Sequence, residues 1–432
     1  MVFKKENIID LFLASAVIGI GISYEKLYLF HIIFLLASIT FLGFNIKKIN
    51  FNRISFTNSF PLVLLFFYLL SVIWSPNQRY ALKYCGYLIL GVSIIYFSIY
   101  MIKDLKKLRT IIKILGLVFF IELIVCIAES FTNFRYPISP YSPLVTYFGH
   151  DYKIATSYSV EIQKIISGVP TGFHWNPNNL ATFIAICTPF VLYLKRSWVK
   201  LIFLILISIV IYKTKSRGVF ISICLISIFY SLTELKFKFK SVLIYTSIFT
   251  VLIFTVPSEN SSIKLINKTF NSVSYAVESL LFEVKDENNS IGQRQALYSN
   301  AFININENKW LGIGAGNSTI AQEKRGKVND KITSLHNFWI EILVDAGIVV
   351  FTLFMTWYFL ITYKLHKMIS YVEDDLLYYV KSIRLSLLGL LISAISCSSI
   401  IYLLPFWVLL GLSLFILKYS KNNYSFIYKD FI

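Results

Sequence analysis

The sequence predicts an all-α polytopic membrane protein. Hydrophobic residues make up 56% of the 432 positions and charged residues only 15%, whereas a soluble globular chain is roughly half apolar and about a quarter charged. The apolar residues also fall into about twelve runs, most of them close to the ~20 residues that an α-helix needs to cross a bilayer. We therefore expect about twelve transmembrane helices, and a water-soluble fold is excluded.

Short polar segments separate most of the apolar runs. The runs lie at about 7–23, 27–44, 60–75, 82–101, 111–130, 178–194, 199–212, 218–234, 241–256, 338–363, 383–400 and 402–417. Two long polar segments remain, at about 131–177 and 257–337. Long segments that a rigid scaffold holds in place commonly carry function.

The distribution of Lys and Arg predicts the orientation of the helices. With the N-terminus in the cytoplasm, most basic residues of the short loops fall on the cytoplasmic side, as the positive-inside rule requires. Both termini are then cytoplasmic and both long segments lie outside. The formal net charge of +18 is mostly an insertion signal and a contact for anionic membrane lipids, so nucleic acid is not an expected partner.

This topology divides the chain into five parts. They are helices one to five (1–130), a first outer loop (131–177), helices six to nine (178–256), a large outer loop expected to be catalytic (257–337), and helices ten to twelve with a cytoplasmic tail (338–432).

The cysteines and carboxylates predict no metal centre. All five cysteines lie inside apolar runs without a CxxC pair, so neither a disulfide framework nor a zinc site is implied. The outer carboxylates lack a DxD arrangement. We therefore expect neither a catalytic metal nor another cofactor.

A basic motif containing Lys215 and Arg217 opens the eighth apolar run on its outer side, where insertion requires no cations. An interfacial arginine often simply extends its guanidinium to lipid headgroups. Alternatively it clamps a diphosphate, because a guanidinium binds phosphate oxygens bidentately and a helix N-terminus adds N–H donors. The motif alone leaves both interpretations open.

His336 stands where the second long segment re-enters the membrane, directly before Asn337. A histidine there is often a structural hydrogen-bonding residue. The alternative is a general base, since a neutral imidazole accepts the proton of an attacking sugar hydroxyl. Glu341 and Asp345 continue a polar stripe from Asn337 along one helix face. Carboxylates within membrane helices are costly and mark function or essential packing, which also applies to Glu122.

Two further sequence features can be considered as ligand-binding sites. Aromatic residues around Trp175 in the first long segment are able to stack on sugar rings, although an interfacial aromatic belt explains them equally well. The segment Gly312 to Asn317 superficially resembles a nucleotide-binding loop. It lacks a following Lys-Ser/Thr and does not leave a strand, so nucleotide binding is not expected.

Three motifs together resemble the O-antigen ligase and polymerase superfamily of bacterial membrane glycosyltransferases. They are Ser216-Arg217-Gly218, Gly292-Gln293-Arg294 followed by Trp310-Leu311-Gly312-Ile313-Gly314, and His336-Asn337 separated by nine residues from Gly347. Val350 departs from the Gly, Thr or Tyr that ends the family's last motif, and Ile221 replaces the leucine of its Arg-x-x-x-Leu. The segment Trp175 to Ala181 looks like the Asn-Pro-Asn helix entry of polymerase-like members.

The resemblance, which covers about 170–360, implies a GT-C-like glycosyltransferase of the bacterial inner membrane. Its donor would be an undecaprenyl-diphosphate-linked glycan at the outer face. Arg217 and Arg294 would hold the diphosphate and stabilise its departure without a metal, and His336 would activate or orient the acceptor hydroxyl. The substrate-binding residues expected beside these catalytic ones are Lys215, Asn337, Trp175, Asn178 and Glu341.

The acceptor divides the superfamily into two activities. A repeat-unit polymerase extends another lipid-linked glycan, with a chain-length regulator as a possible partner, whereas a ligase of lipopolysaccharide biosynthesis uses a lipid A core. Val350 and the Trp175 segment favour the polymerase. A transporter or lipid flippase is the rival from another class, but such proteins often show repeated halves and short loops. A structural scaffold would leave the three motifs unexplained.

Overall fold

The structure is a computed structural model, and it describes residues 7–44, 55–152, 166, 168–234, 290–325 and 334–423. These residues are predominantly α-helical, as the sequence predicts. The α-helices are α1 (Ile8–Ile18), α2 (Leu29–Phe44), α3 (Phe56–Ser71), α4 (Gln78–Met101), α5 (Leu105–Phe131), α6 (Pro177–Leu192), α7 (Ser197–Thr214), α8 (Arg217–Glu234), α9 (Ser290–Glu307), α10 (Asn317–Arg325), α11 (Phe338–Met368), α12 (Asp374–Ser393) and α13 (Leu404–Asn423).

Two very short strands and two short 3-10 segments complete the described secondary structure. Strands β1 (Ser23–Tyr24) and β2 (Leu27–Tyr28) pair in antiparallel fashion, with Ser23 opposite Tyr28. The 3-10 segments are Gly19–Gly21 and Pro143–Phe148. The all-α fold class is therefore confirmed.

Seven of the described helices are long and apolar enough to cross a membrane, namely α4, α5, α7, α8, α11, α12 and α13. Helices α1, α2, α3 and α6 are shorter apolar helices. Each predicted apolar run among the described residues thus corresponds to a helix. The predicted run 241–256 and the part of the predicted outer loop 257–337 that precedes Ser290 lie outside the described residues.

The eleventh predicted run differs most from its helix. The sequence predicts it at 383–400, whereas α12 is Asp374–Ser393. The prediction begins too late because the first turn of the helix is acidic and only its later turns are continuously apolar. Arg384 lies inside this helix and is buried. Its guanidinium Nη1 is 2.8 Å from Nδ1 of His366, which provides a polar partner for a charge that would otherwise be costly to bury.

The chain forms two compact units. The larger comprises Met1–Phe66, Gly86–Tyr230 and Leu353–Ile432, and the smaller comprises Phe67–Cys85 and Ser231–Thr352. Of the seven long apolar helices, α13 is the most enclosed: 83% of its apolar 18-residue stretch is buried. It packs against α1, α6 and α12 in the larger unit.

Helices α6 and α12 pack along each other in the larger unit. Hydroxyl groups tie them together: Ser386 donates to the carbonyl oxygen of Ile186 at 2.7 Å, and Thr182 donates to that of Ser393 at 3.3 Å. Small and hydroxylated residues permit such close approach of membrane helices, where hydrophobicity alone does not drive association.

In the smaller unit α9 and α10 pack against each other around an apolar core. The core residues are Leu297, Ala301, Ile313, Leu335 and Val344. This core fixes the segment that precedes α11 and carries His336, because Leu335 is one of its members.

Candidate functional site

Asn337 begins α11 and orients the residues around it. Its side-chain Oδ1 accepts hydrogen bonds from the backbone N–H groups of Trp339 at 3.1 Å and Ile340 at 3.3 Å. Asparagine is among the best residues for this capping role, since it satisfies N–H groups that have no partner within the helix. His336 is therefore held at a defined position immediately before the helix.

The His336 imidazole is partly enclosed and polarised. Its backbone is left-handed, with φ of 49°, and its Nδ1 atom is buried without a hydrogen-bond partner among the described residues. Burial, reinforced by the positive charge of Arg294, lowers the pKa of His336 from 6.5 to about 4. The imidazole is therefore neutral at physiological pH and able to accept a proton or hydrogen bond.

Tyr298 lies one turn after Arg294 on α9 and belongs to the same group of side chains as Arg294, His336 and Asn337. The Tyr298 hydroxyl and the Asn337 side chain are hydrogen-bonded, and burial raises the pKa of Tyr298, although Asn337 and Arg294 oppose the rise. The hydroxyl consequently keeps its proton. Sequence reasoning missed this residue, but its position four residues after Arg294 places it on the same helix face.

The polar stripe of α11 continues with two buried carboxylates. Glu341 is 4% exposed, and it lies within electrostatic reach of Tyr68. Asp345 accepts hydrogen bonds from the backbone N–H of Gly316 at Oδ2 and of Ser318 at Oδ1, both at 2.9 Å. Asp345 thereby holds the segment that begins α10.

A backbone clasp joins the glycine-rich segment to α11. Ile313 N–H donates to the Val344 carbonyl and Gly314 N–H to the Asp345 carbonyl, both at 2.9 Å, while Ile348 N–H donates to the Trp310 carbonyl at 3.0 Å. We call these paired segments, 310–316 and 344–348, the glycine clasp.

Glycine is required on both sides of the glycine clasp. Gly347 breaks the helical dihedrals of α11, with φ of 82° and ψ of 173°. A Cβ atom there would lie 2.5 Å from the carbonyl carbon of Leu311, and one at Gly312 would lie 2.6 Å from the Gly347 nitrogen. Both motif glycines therefore have a structural role in bringing two backbones together.

The helix entry around Trp175 lies in the larger unit. Asn176 caps α6, its Oδ1 accepting from the Asn178 N–H at 2.8 Å. Trp175 and Asn178 are half-buried, and the Trp175 ring centroid is 5.0 Å from that of His150. Asn179 accepts a hydrogen bond from the Ser398 N–H at 3.2 Å. The Asn-Pro-Asn motif is thus a helix start anchored to the segment between α12 and α13.

The basic motif that contains Lys215 and Arg217 also lies next to the segment between α12 and α13. Lys215, in a left-handed conformation with φ of 56°, ends α7, and Arg217 is the exposed first residue of α8. Gly218 packs directly against the Ser396 side chain. Asn176 Nδ2 donates to Ser398 Oγ at 3.1 Å. The segment 396–398 therefore brings the N-termini of α6 and α8 to one end of the larger unit, a relation that the sequence did not indicate.

Glu122 and Glu129 of α5 hold the loop before Trp175. Glu122 Oε1 accepts from the Phe173 N–H at 2.8 Å, and its Oε2 is 3.6 Å from Nε2 of His174. Glu129 Oε2 accepts from the N–H groups of Thr171 and Gly172 at 2.9 and 2.8 Å. The membrane carboxylate Glu122 is thus explained by packing of this loop.

A small pocket of about 280 Å³ with a mixed polar and apolar lining lies in the smaller unit. The half-exposed indole of Trp74 borders it, and amide side chains and one lysine contribute polar groups. The polar lining residues are Asn304, Asn308, Asn317 and Lys324. An aromatic face beside amides and a cation is suited to a polar ring such as a sugar.

The predicted site residues therefore form two groups. Arg294, His336, Asn337 and Glu341 lie in the smaller unit, and Lys215, Arg217, Trp175 and Asn178 lie in the larger unit. Most of them lie in or just before the first turns of helices, where N–H groups and partial positive charge favour anions, whereas Lys215 ends α7.

Comparisons with known proteins agree with the motifs. Residues 201–355, which include Arg217, Arg294 and His336, match the family model described as O-antigen ligase. The chain is 23% identical over 353 residues to the teichuronic acid biosynthesis protein TuaE of Bacillus subtilis (strain 168), covering 80% of this chain and 68% of the relative. No solved structure matches the chain.

These matches confirm the resemblance to the O-antigen ligase and polymerase superfamily. The helices and these matches together support a multi-pass membrane protein of polysaccharide biosynthesis, of the ligase or polymerase kind.

Proposed function

We propose that this protein is a metal-independent glycosyltransferase that moves an undecaprenyl-diphosphate-linked oligosaccharide onto an acceptor glycan. The reaction takes place at the outer face of the bacterial inner membrane, with both chain termini in the cytoplasm. We favour a repeat-unit polymerase of surface polysaccharide, with O-antigen ligation to a lipid A core as the second candidate.

The observation that carries this proposal is the group formed by His336, Arg294, Tyr298 and Asn337. The acceptor hydroxyl oxygen attacks the anomeric carbon of the donor, and the bond from that carbon to the diphosphate oxygen breaks. The diphosphate leaves with the bonding electron pair. His336 accepts the hydroxyl proton or orients the hydroxyl, and Arg294 stabilises the charge that develops on the diphosphate.

Arg217 of the larger unit is a second cation that we propose binds the donor diphosphate. It is exposed at the first turn of α8, and Lys215 precedes it, so its guanidinium is accessible to an anionic ligand. Bidentate hydrogen bonding to phosphate oxygens and the positive end of the helix dipole both favour a diphosphate here. Trp175 and Asn178, at the N-terminus of α6, would contact the donor beside Arg217.

Sugar residues farther from the reacting bond would occupy the Trp74 pocket. This pocket and Arg294 lie along α9, with Asn304 in its last turn, Asn308 just beyond its C-terminal end and Arg294 in its second turn. At a rise of 1.5 Å per residue, Arg294 is about 15 Å from Asn304 and about 21 Å from Asn308 along the helix axis. An oligosaccharide is long enough to span this distance, whereas a single sugar is not.

Two observations support polymerisation over ligation. The Trp175 to Ala181 helix entry resembles polymerase-like members, and the relative in Bacillus subtilis is named for teichuronic acid rather than lipopolysaccharide. The family description names an O-antigen ligase. The experiment therefore includes both a lipid-linked repeat unit and a lipid A core as acceptors.

Purified protein supplied only with undecaprenyl-diphosphate repeat units, in a buffer containing EDTA, is expected to produce a ladder of multi-repeat glycans. The ladder is expected because the donor also serves as the acceptor and arginines replace the metal. Products are resolved by gel electrophoresis and mass spectrometry. Absence of products until a lipid A core is added would assign the ligase instead, and a requirement for Mg²⁺ would contradict the metal-independent mechanism.

A further inference from the structure

A long apolar groove runs through the larger unit, separate from every predicted site residue. Its volume is about 580 Å³, within the range of pockets that enclose whole small ligands. Helices α5, α6, α7, α12 and α13 form its walls, and its inner part is lined by aromatic and aliphatic side chains such as Phe119, Phe183 and Leu409.

One end of the groove is strongly basic. Arg109 and Lys113 from the first turns of α5 lie there together with Lys195, which follows α6. Asp375 also borders this end and forms an ion pair with Arg109. Lys113 and Lys195 are exposed. Positive charge therefore predominates at the mouth, even after the single acidic side chain there is counted.

The length of the groove matches one leaflet of a bilayer. Its lining extends along α5 from Arg109 to Phe120, which corresponds to about 16 Å at 1.5 Å per residue. The hydrocarbon core of a bilayer is about 30 Å thick. One extended acyl chain therefore fits between the basic mouth and the aromatic inner end.

The basic mouth lies far from Arg217. Helix α7 begins at Ser197, just after Lys195, and ends at Thr214, just before Arg217. Its 18 residues rise by about 27 Å, so the mouth and Arg217 are near opposite ends of this helix. A diphosphate held by Arg217 cannot also contact the mouth.

We propose that this groove binds one anionic phospholipid, with an acyl chain along the apolar lining and the phosphate at Arg109, Lys113 and Lys195. The apolar lining holds the chain by van der Waals packing, as membrane helices hold each other, and the basic side chains attract the headgroup. Charge complementarity selects an anionic lipid, because a zwitterionic headgroup leaves the excess positive charge of the mouth uncompensated.

The test is native mass spectrometry of the full chain released from nanodiscs that contain phosphatidylglycerol and phosphatidylcholine with identical acyl chains. We expect one tightly retained phosphatidylglycerol molecule per protein. Replacing both groove lysines, Lys113→Gln with Lys195→Gln, should lower its retention about 30-fold, given the typical attraction of each basic side chain for anionic lipid. Lys106→Gln is the matched control, since Lys106 is an exposed lysine of α5 that does not line the groove.

A second pair of variants tests the apolar part. Gly116 lines the groove, and a Cβ atom there meets no atom within 4 Å, so a side chain can start there and Gly116→Leu is expected to occupy groove space. We expect it to lower retention of both lipids. Gly86→Leu is the control, because Gly86 has equally open surroundings and lies outside the groove.

Three results would overturn the proposal. They are equal retention of the two phospholipids by the unaltered protein, phosphatidylglycerol retention that is insensitive to the lysine changes, and displacement of phosphatidylglycerol by undecaprenyl phosphate at lower concentration than by added phosphatidylglycerol. The last result would assign the groove to a polyprenyl lipid. None of these readouts depends on glycan transfer.

Discussion

Replacing His336 by alanine is expected to abolish detectable glycan transfer. Loss of a general base typically lowers the rate by about 10²–10⁴-fold. In the proposed mechanism the neutral imidazole next to Arg294 takes the proton from the hydroxyl of the acceptor sugar. Turnover of a purified lipid-linked donor measures the effect. Because His336 is only partly buried, its truncation leaves no large core cavity, and expression should stay near normal.

His336→Asn separates the imidazole from the backbone conformation. His336 has φ of 49°, a region that asparagine tolerates better than alanine does. The asparagine variant should therefore fold as well as the unaltered protein and still be inactive. Near-normal transfer by His336→Asn would show that His336 is not the base.

The pH dependence provides a second readout of His336. With a pKa of about 4 in the free protein, the imidazole loses its base function only as the pH falls through that value. The acid limb of kcat/KM, which reports the free protein, should thus lie near pH 4 instead of about 6.5. A bound diphosphate offsets the charge of Arg294 and raises the pKa, so the acid limb of kcat should lie at higher pH.

Arg217→Ala is expected to lower transfer by about 10²–10³-fold, the usual effect of removing one donor that stabilises a developing anion. Arg217→Lys should recover little activity, because an ammonium group cannot reproduce a bidentate guanidinium fork. Steady-state kinetics should show a loss in kcat beyond any increase in KM.

Arg196→Ala is the matched control for Arg217. Arg196 is also exposed and also stands at a helix start, where its side chain makes no capping hydrogen bond. It flanks the other end of α7 and should leave transfer unchanged. Equal losses in the two variants would indicate a general effect of interfacial charge and would contradict the diphosphate role.

Apolar runs predicted the helices well, because a membrane helix must be apolar over most of its length. The boundaries of α12 were predicted less well, since Asp374 and Asp375 belong to its first turn and acidic residues at a helix N-terminus are favourable. Hydropathy alone places such residues in a loop.

The candidate site residues were predicted from residue type and from the family resemblance. Residue type drew attention to His336, the resemblance added Arg294, and the structure places both with Asn337 and Tyr298 in one group. The anchoring of Asn176 and Asn179 by Ser398 joins residues more than 200 positions apart. No local sequence pattern specifies such contacts, and the same is true of the glycine clasp between 310–316 and 344–348.

The most direct measurement of the central claim is the release of undecaprenyl diphosphate during glycan elongation by the purified protein. The mechanism predicts one molecule released for every oligosaccharide transferred, with no release by His336→Asn. Chromatography of the lipid fraction quantifies the release, and glycan mass spectrometry counts the transfers. Elongated glycan without a matching amount of released undecaprenyl diphosphate would contradict the proposed donor, and equal release by His336→Asn would contradict the proposed base.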